Sequence, residues 1–106
     1  MLPASAYSEI SGCVTEQAFQ ETVQQAADLY GWWWYHTNDS RRSRPGFPDL
    51  VLIKPPKVIF LEVKREKGRL TVAQADVLAM LSDCSEVQAG VVRPSDWADV
   101  VEWLST

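Results

Sequence analysis

Residues 49–64 read DLVLIKPPKVIFLEVK, two apolar runs on either side of Pro55-Pro56. Short apolar runs that are rich in β-branched residues and separated by a proline turn predict a β-hairpin. Both runs are apolar at successive positions, which is typical of strands whose two faces are covered. We therefore expect this hairpin to form the middle of a sheet.

The chain before the hairpin predicts a helix, a strand and a loop. Thr15 is expected to cap a helix that Gly31 ends. The apolar residues of this helix recur at helical spacing: Phe19, Val23, Ala26, Ala27 and Tyr30. Residues 32–37 (WWWYHT) predict a strand, and residues 38–47 a polar loop. We expect the Trp32–Trp34 run to belong to the sheet core rather than to a base-stacking surface.

The chain after the hairpin predicts a second helix, a fourth strand and a last helix. Thr71 is expected to start the second helix, which runs to about Cys84. Residues 87–92 predict a strand, and Ser95 is expected to cap the last helix. The order α-β-β-β-α-β-α predicts an α/β/α sandwich around a four-stranded mixed sheet.

Length and composition indicate one compact domain. The chain has 106 residues, of which 46% are hydrophobic and 23% charged, as in globular proteins. We expect residues 1–14 to be a leader and residues 15–106 the domain. No apolar run reaches the roughly 18 residues of a membrane helix, and the N-terminus does not resemble a secretion signal. The separated Cys13 and Cys84 are expected to be free thiols in a reducing cytoplasm, here that of a bacterium or a phage-infected cell.

Positive charge is concentrated in the middle of the chain. Nine of the ten Lys and Arg residues lie between Arg41 and Arg69, with three acidic residues among them. This segment carries a net charge of +6 in a chain whose net charge is −4. A local basic surface of this kind favours phosphate binding, because local potential matters more than total charge. Charge alone leaves open a solvated basic face without a partner.

The hairpin also brings two carboxylates together. Asp49 and Glu62 stand at equal distances from Pro55-Pro56, so a symmetric turn would place them opposite each other with Cβ atoms about 5 Å apart. Lys64 would leave the same face of its strand as Glu62. Opposed like charges destabilise a sheet unless a cation lies between them, and Mg²⁺ accepts one or two carboxylates with waters and phosphate oxygens. The alternative is a solvent-facing edge hairpin, because two prolines could force a longer loop.

Several motifs now combine into a family resemblance. Gly46-Phe47-Pro48-Asp49, Glu62-Val63-Lys64 and the KGRLTVAQ segment of residues 67–74 resemble the PD-(D/E)XK nuclease signature in its virus-type replication-repair nuclease (VRR-NUC) form. The similarity extends to His36-Thr37, Ser40-Arg41-Arg42 and Arg93-Pro94-Ser95-Asp96, and so covers roughly residues 15–104. The PD…EXK pattern alone is permissive, whereas its combination with these motifs is specific.

The resemblance implies a restriction-endonuclease-like fold and a set of functional residues. Asp49 and Glu62 are expected to bind Mg²⁺, for which Mn²⁺ could substitute, with the backbone carbonyl of Val63 as a further ligand. Lys64 is expected to be the catalytic lysine. The family also uses an acidic residue of the first helix. Glu16 lies within the apolar stripe, while Glu21 points about 140° away from it, which favours Glu16.

Two of these assignments have structural alternatives. An acidic residue in the first turn, as Glu16 is, is also favoured by the helix dipole alone. Thr71-Val-Ala-Gln74 has the pattern of a capping box, in which Gln74 returns to the backbone of Thr71. The family places a glutamine beside the active site at this position, so the sequence leaves both roles of Gln74 open.

The residues expected to contact the DNA backbone flank the hairpin. They are His36, Ser40, Arg41, Arg42, Arg44, Lys67 and Arg69. Each basic residue could equally be solvated, so the prediction rests on the cluster. For His36, a packed or merely exposed side chain is the alternative.

The resulting hypothesis is a Mg²⁺-dependent, structure-selective DNA endonuclease. By resemblance, it is a homodimeric Holliday-junction resolvase of DNA repair that leaves a 5′-phosphate and a 3′-hydroxyl. Its expected partners are branched DNA and a second copy of the chain, without a membrane or a small-molecule cofactor. The alternatives are a monomeric nickase or flap nuclease with the same chemistry, and a non-catalytic DNA-binding module that kept the fold.

Overall fold

The computed structural model describes residues 10–37 and 41–106. Of the expected leader, residues 1–9 lie outside the described residues, and Ser11–Cys13 form a 3₁₀ turn. The helices are α1 (Glu16–Leu29), α2 (Val72–Ser82) and α3 (Trp97–Ser105). The strands are β1 (Trp33–His36), β2 (Leu50–Lys54), β3 (Lys57–Val63) and β4 (Gln88–Val92). The predicted order of elements is confirmed.

The four strands form one mixed sheet with the order β1-β2-β3-β4. β2 pairs with β1 and β3 in antiparallel fashion, and β4 lies parallel to β3. In the β2–β3 hairpin, Lys54 pairs with Lys57 and Leu50 with Leu61. The turn is therefore the symmetric two-residue turn that the sequence analysis assumed. The two hairpin strands are the central ones, as predicted.

Helix α1 has a cap at its start, a glycine at its end and one apolar stripe, and all three favour a helix over the same residues. The Thr15 hydroxyl accepts a hydrogen bond from the Ala18 N–H at 3.1 Å, and Gly31 leaves the helix at a φ of +83°. Four residues of the predicted stripe are buried: Phe19, Val23, Ala26 and Ala27. The Phe19 ring meets Trp97 of α3 edge to face, with centroids 6.1 Å apart. This contact joins the two helices that cover one face of the sheet.

Alternation along the strands divides the sheet into two faces. The inner face packs against α1 and α3 and carries the main core residues of the strands: Leu50, Leu52, Ile59, Leu61, Val63 and Val92. The outer face carries the residues between them: Trp33, Tyr35, Val51, Ile53, Phe60 and Glu62. Helix α2 packs against β4. The inner face therefore provides the core, and the outer face carries the predicted site residue Glu62.

Two local predictions are wrong. Ser95 does not cap the last helix, because Pro94–Asp96 form a separate 3₁₀ turn and α3 begins after Asp96 without a side-chain cap. The tryptophan run is not wholly core: Trp32 is buried, but Trp33 is largely exposed on the outer face of β1. In the part of the chain that the structure describes, no helix has both the length and the hydropathy to cross a bilayer.

Candidate active site

Asp49 and Glu62 lie side by side where β2 begins and β3 ends. The Val63 N–H donates to Asp49 Oδ2 at 2.9 Å, and the Thr37 N–H donates to the Asp49 carbonyl at 3.0 Å. Glu62 is 1% exposed, and its Oε2 has no hydrogen-bond partner in the described part of the chain. A buried carboxylate oxygen without a partner is costly, which points to a ligand that the protein atoms do not supply.

The electrostatics of the pair favour a bound cation. Burial raises the pKa of Glu62 to about 8, together with a hydrogen bond that only the protonated Glu62 can donate to Asp49 and with the negative charge of Asp49, while the charge of Lys64 acts in the opposite direction. Glu16 adds a smaller effect that also raises this pKa. The Glu62 carboxyl therefore keeps its proton at neutral pH in the absence of a bound cation.

Lys64 and Glu16 meet at the edge of this pair. The Lys64 N–H donates to the Val92 carbonyl, which continues the β3–β4 pairing past the end of β3. The Lys64 Nζ lies 3.9 Å from Glu16 Oε1, and the two side chains are 14% and 49% exposed. Glu21 lies elsewhere on α1 and accepts a hydrogen bond from Gln17. Of the two acidic candidates, Glu16 is the one beside Lys64, although it is half-exposed rather than buried within the stripe.

Gln74 makes the contacts expected of both roles that the sequence left open: it completes the cap of α2 and it lies against Glu62. Its Oε1 accepts from the Thr71 N–H at 2.9 Å, and the Thr71 hydroxyl accepts from the Gln74 N–H at 3.1 Å, so the capping box is formed. Its Nε2 donates to Glu62 Oε1 at 3.2 Å. The start of α2 is thereby joined to the buried carboxylate.

The side chains at this site fit Mg²⁺, which needs few protein ligands, rather than a metal that takes three or more side-chain ligands. Among residues 10–37 and 41–106, no three His, Cys, Asp or Glu side chains are grouped closely enough to form a metal site by themselves. Mg²⁺ needs only one or two carboxylates, because waters and substrate phosphates complete its shell. Asp49 and Glu62 supply two, and the partnerless Glu62 Oε2 is available as a ligand.

Comparison with known proteins identifies the family. The model of the VRR-NUC domain matches residues 3–96, which is most of the chain. The chain belongs to the VRR-NUC family. No match was found among curated proteins or among solved structures. VRR-NUC membership indicates a nuclease-type, DNA-processing function.

The predicted DNA contacts of this VRR-NUC domain are on its surface. Five basic side chains are exposed: Arg41, Arg42, Arg44, Lys67 and Arg69. Ser40 lies outside the described residues. His36 is half-buried and lines a cavity of about 710 Å³ between α1 and β1. This cavity begins at Glu16 and continues past Gln20, which makes it a polar groove next to Lys64.

One residue that positions the VRR-NUC site was missed in the sequence analysis. The Arg93 guanidinium donates to the Gly68 carbonyl at 2.9 Å and so holds the turn that carries Lys67 and Arg69. The Ser95 N–H donates to Glu66, which adds a second tie to the same turn. Arg93 is the only Lys or Arg outside the central basic segment, and its place in the Arg93-Pro94-Ser95-Asp96 motif was the available signal.

Proposed function

We propose that this protein is a Mg²⁺-dependent, structure-selective DNA endonuclease that works as a homodimeric Holliday-junction resolvase. The observation that carries the proposal is the buried oxygen of Glu62, without a partner among the described residues, which lies beside Asp49 and near Lys64, the residue that directly follows β3. A buried carboxylate next to a second carboxylate is unfavourable in a purely structural hairpin and useful in a metal site.

Asp49 and Glu62 would hold the metal, with the backbone carbonyl of Val63 as a further donor. Bound Mg²⁺ supplies positive charge that polarises the scissile phosphate and acidifies an attacking water. Gln74 keeps Glu62 oriented through its hydrogen bond to Oε1. The Asp49 carboxylate is fixed by the Val63 N–H, so neither ligand has to be ordered when the metal binds.

Lys64 supplies the positively charged side chain of the site. Its ammonium group can donate hydrogen bonds to a phosphate oxygen and offset the negative charge that develops during hydrolysis. Glu16 holds this ammonium group near the carboxylates through a contact of 3.9 Å. The exposed basic residues on both sides of the hairpin would bind the neighbouring phosphates.

The dimer follows from the symmetry of the substrate. A four-way junction needs two matched cuts, and a two-fold dimer of one small subunit provides two identical sites. One subunit with one carboxylate pair makes a single cut, as a nickase or flap nuclease does.

The test is cleavage of a labelled four-way junction, a flap and a linear duplex in Mg²⁺ or in EDTA. The variants are Lys64→Ala and, as a matched control, Lys57→Ala, which removes a lysine from the opposite end of β3. Symmetric junction cuts that require Mg²⁺ and Lys64, but not Lys57, would support the proposal. Cutting of the flap alone would replace the resolvase by a flap nuclease. DNA binding without cleavage of any substrate would refute the catalytic function.

A further inference from the structure

The outer face of β1 exposes two large aromatic side chains. Trp33 is 63% exposed and Tyr35 is 54% exposed. They stand two residues apart on one strand, so they leave the same face at a spacing of about 7 Å. Large exposed apolar groups next to each other are unfavourable in water and commonly mark a binding surface. We call these two residues the aromatic platform.

The strand register places the platform in line with the carboxylates. Trp33 pairs with Ile53, and Tyr35 pairs with Val51. The Thr37 N–H donates to the Asp49 carbonyl, so the next step along β1 reaches the metal-binding pair. A ligand that lies along β1 on the outer face would therefore extend directly to Asp49 and Glu62.

Further aromatic surface continues the platform across the sheet. Val51, the partner of Tyr35, pairs in turn with Phe60. The Phe60 ring meets Phe47 edge to face, with centroids 5.8 Å apart, and Phe47 is itself partly exposed. These rings extend the aromatic surface of the outer face on the far side of Val51.

The charge near the platform distinguishes between two possible ligands, a second copy of this chain and a nucleic acid. The loop that follows β1 carries the exposed Arg41, Arg42 and Arg44. In a two-fold dimer through this face, each copy would present the same arginines to the same patch, and like charges would be brought together. A polyanion with flat apolar rings satisfies both features at once, because phosphates match the arginines and bases match the aromatic rings.

We propose that Trp33 and Tyr35 stack against unpaired bases of a single-stranded DNA segment next to the scissile phosphate. This inference rests on the proposed nuclease function and deepens it: the bases that the platform holds would be those at the branch point, which leave their stack when a junction is bound in an opened form. Aromatic side chains on a sheet stack successive bases without a sequence preference. Fully paired duplex keeps its bases stacked internally and offers the platform nothing to hold.

The test is binding of a labelled twelve-nucleotide oligothymidine in EDTA, measured by fluorescence anisotropy. The Trp33→Ala/Tyr35→Ala variant is expected to bind at least about tenfold more weakly than the wild type. The Trp33→Phe/Tyr35→Phe variant should recover most of the affinity, because the rings remain. Leu29→Ala and Met80→Ala, which shorten exposed apolar side chains on the helices, are the matched controls and should bind as the wild type does.

A perfect duplex of the same length separates stacking from general electrostatics. Its affinity should be the same for the wild type and the double alanine variant. Equal loss of duplex and single-strand binding would overturn the inference, and so would unchanged single-strand binding. Conversion of a dimer into a monomer by the double alanine variant, seen by light scattering, would identify the platform as a subunit interface and also overturn it.

The two proposals fail in different ways. If the wild type cuts junctions while the platform variant binds oligothymidine normally, the function stands and the platform is refuted. If the platform variant loses oligothymidine binding while the wild type cuts nothing, the platform stands and the catalytic function is refuted.

Discussion

Replacement of Glu62 by glutamine should make the metal-free protein more stable at high pH. In the folded protein the pKa of Glu62 is about 8, against an ordinary value of 4.5. The folded state thus keeps a proton that the unfolded chain releases. The associated stability is fully present below pH 4.5, falls as the pH rises above that value, and is lost once the pH has passed 8. The substituted glutamine carries no charge, and its amide can accept from Gln74 while donating towards Asp49, so the variant does not have this loss.

The size of the effect follows from the interval between the two pKa values. At about 1.4 kcal/mol for each unit of pKa difference, this interval corresponds to a loss of roughly 5 kcal/mol in the free energy of unfolding. Water entry and relaxation around the ionised Glu62 reduce this limit, so we expect the wild type to lose about 2 to 4 kcal/mol more than the variant between pH 5 and pH 9. Such a loss is a large fraction of the stability of a small domain.

The assay is urea unfolding in EDTA at pH 5, 7 and 9, followed by circular dichroism. Glu86→Gln, which changes an exposed glutamate, is the matched control and should follow the wild type. Parallel curves for the wild type and Glu62→Gln across this range would refute the reasoning, because Glu62 would then ionise equally in the folded and unfolded states.

Three further predictions concern the metal, the lysine and a glycine. Mg²⁺ binding must release the Glu62 proton, so calorimetry should find affinity roughly 50-fold weaker at pH 6 than at pH 8; pH-independent affinity would contradict this. Lys64→Ala should lower the single-turnover cleavage rate by about 10²- to 10⁴-fold while leaving Mg²⁺ affinity within about threefold, and a variant that cuts normally would exclude Lys64 from the chemistry. Gly46→Ala should cost about 3 kcal/mol in urea unfolding, because its Cβ would lie 2.4 Å from the Ala73 carbonyl oxygen at a φ of +103°. Gly31→Ala, at a φ of +83° but with open space around it, should cost about 1 kcal/mol, and equal costs would show that the contact with Ala73 is not limiting.

The features that were predicted correctly depend only on residues that are close together in sequence. The position of Asp49 beside Glu62 follows from counting residues outwards from a two-residue turn, and the register of the hairpin confirms that count. Helix α1 has a cap at Thr15, a stop at Gly31 and one apolar stripe, so its bounds were predicted almost to the residue.

The features that were missed depend on how distant segments meet. Whether Trp33 is buried depends on whether a distant segment packs over the outer face of β1, and nothing near Trp33 in sequence determines that. The contact between Arg93 and the Gly68 carbonyl joins residues far apart along the chain. Serine is a common capping residue, but the Ser95 N–H donates to Glu66, and Pro94–Asp96 form a 3₁₀ turn instead.

The position of Gln74 explains why an amide, and not an acid, stands there. A capping box accepts either Glu or Gln at its third position, because both can accept from the backbone N–H of the cap residue. Only Gln also has hydrogens to donate, and one of them is directed to Glu62. A glutamate at position 74 would keep the helix start but bring a third acid against the carboxylate pair. The helix cap therefore allows either Glu or Gln at position 74, and the neighbouring Glu62 carboxylate favours Gln.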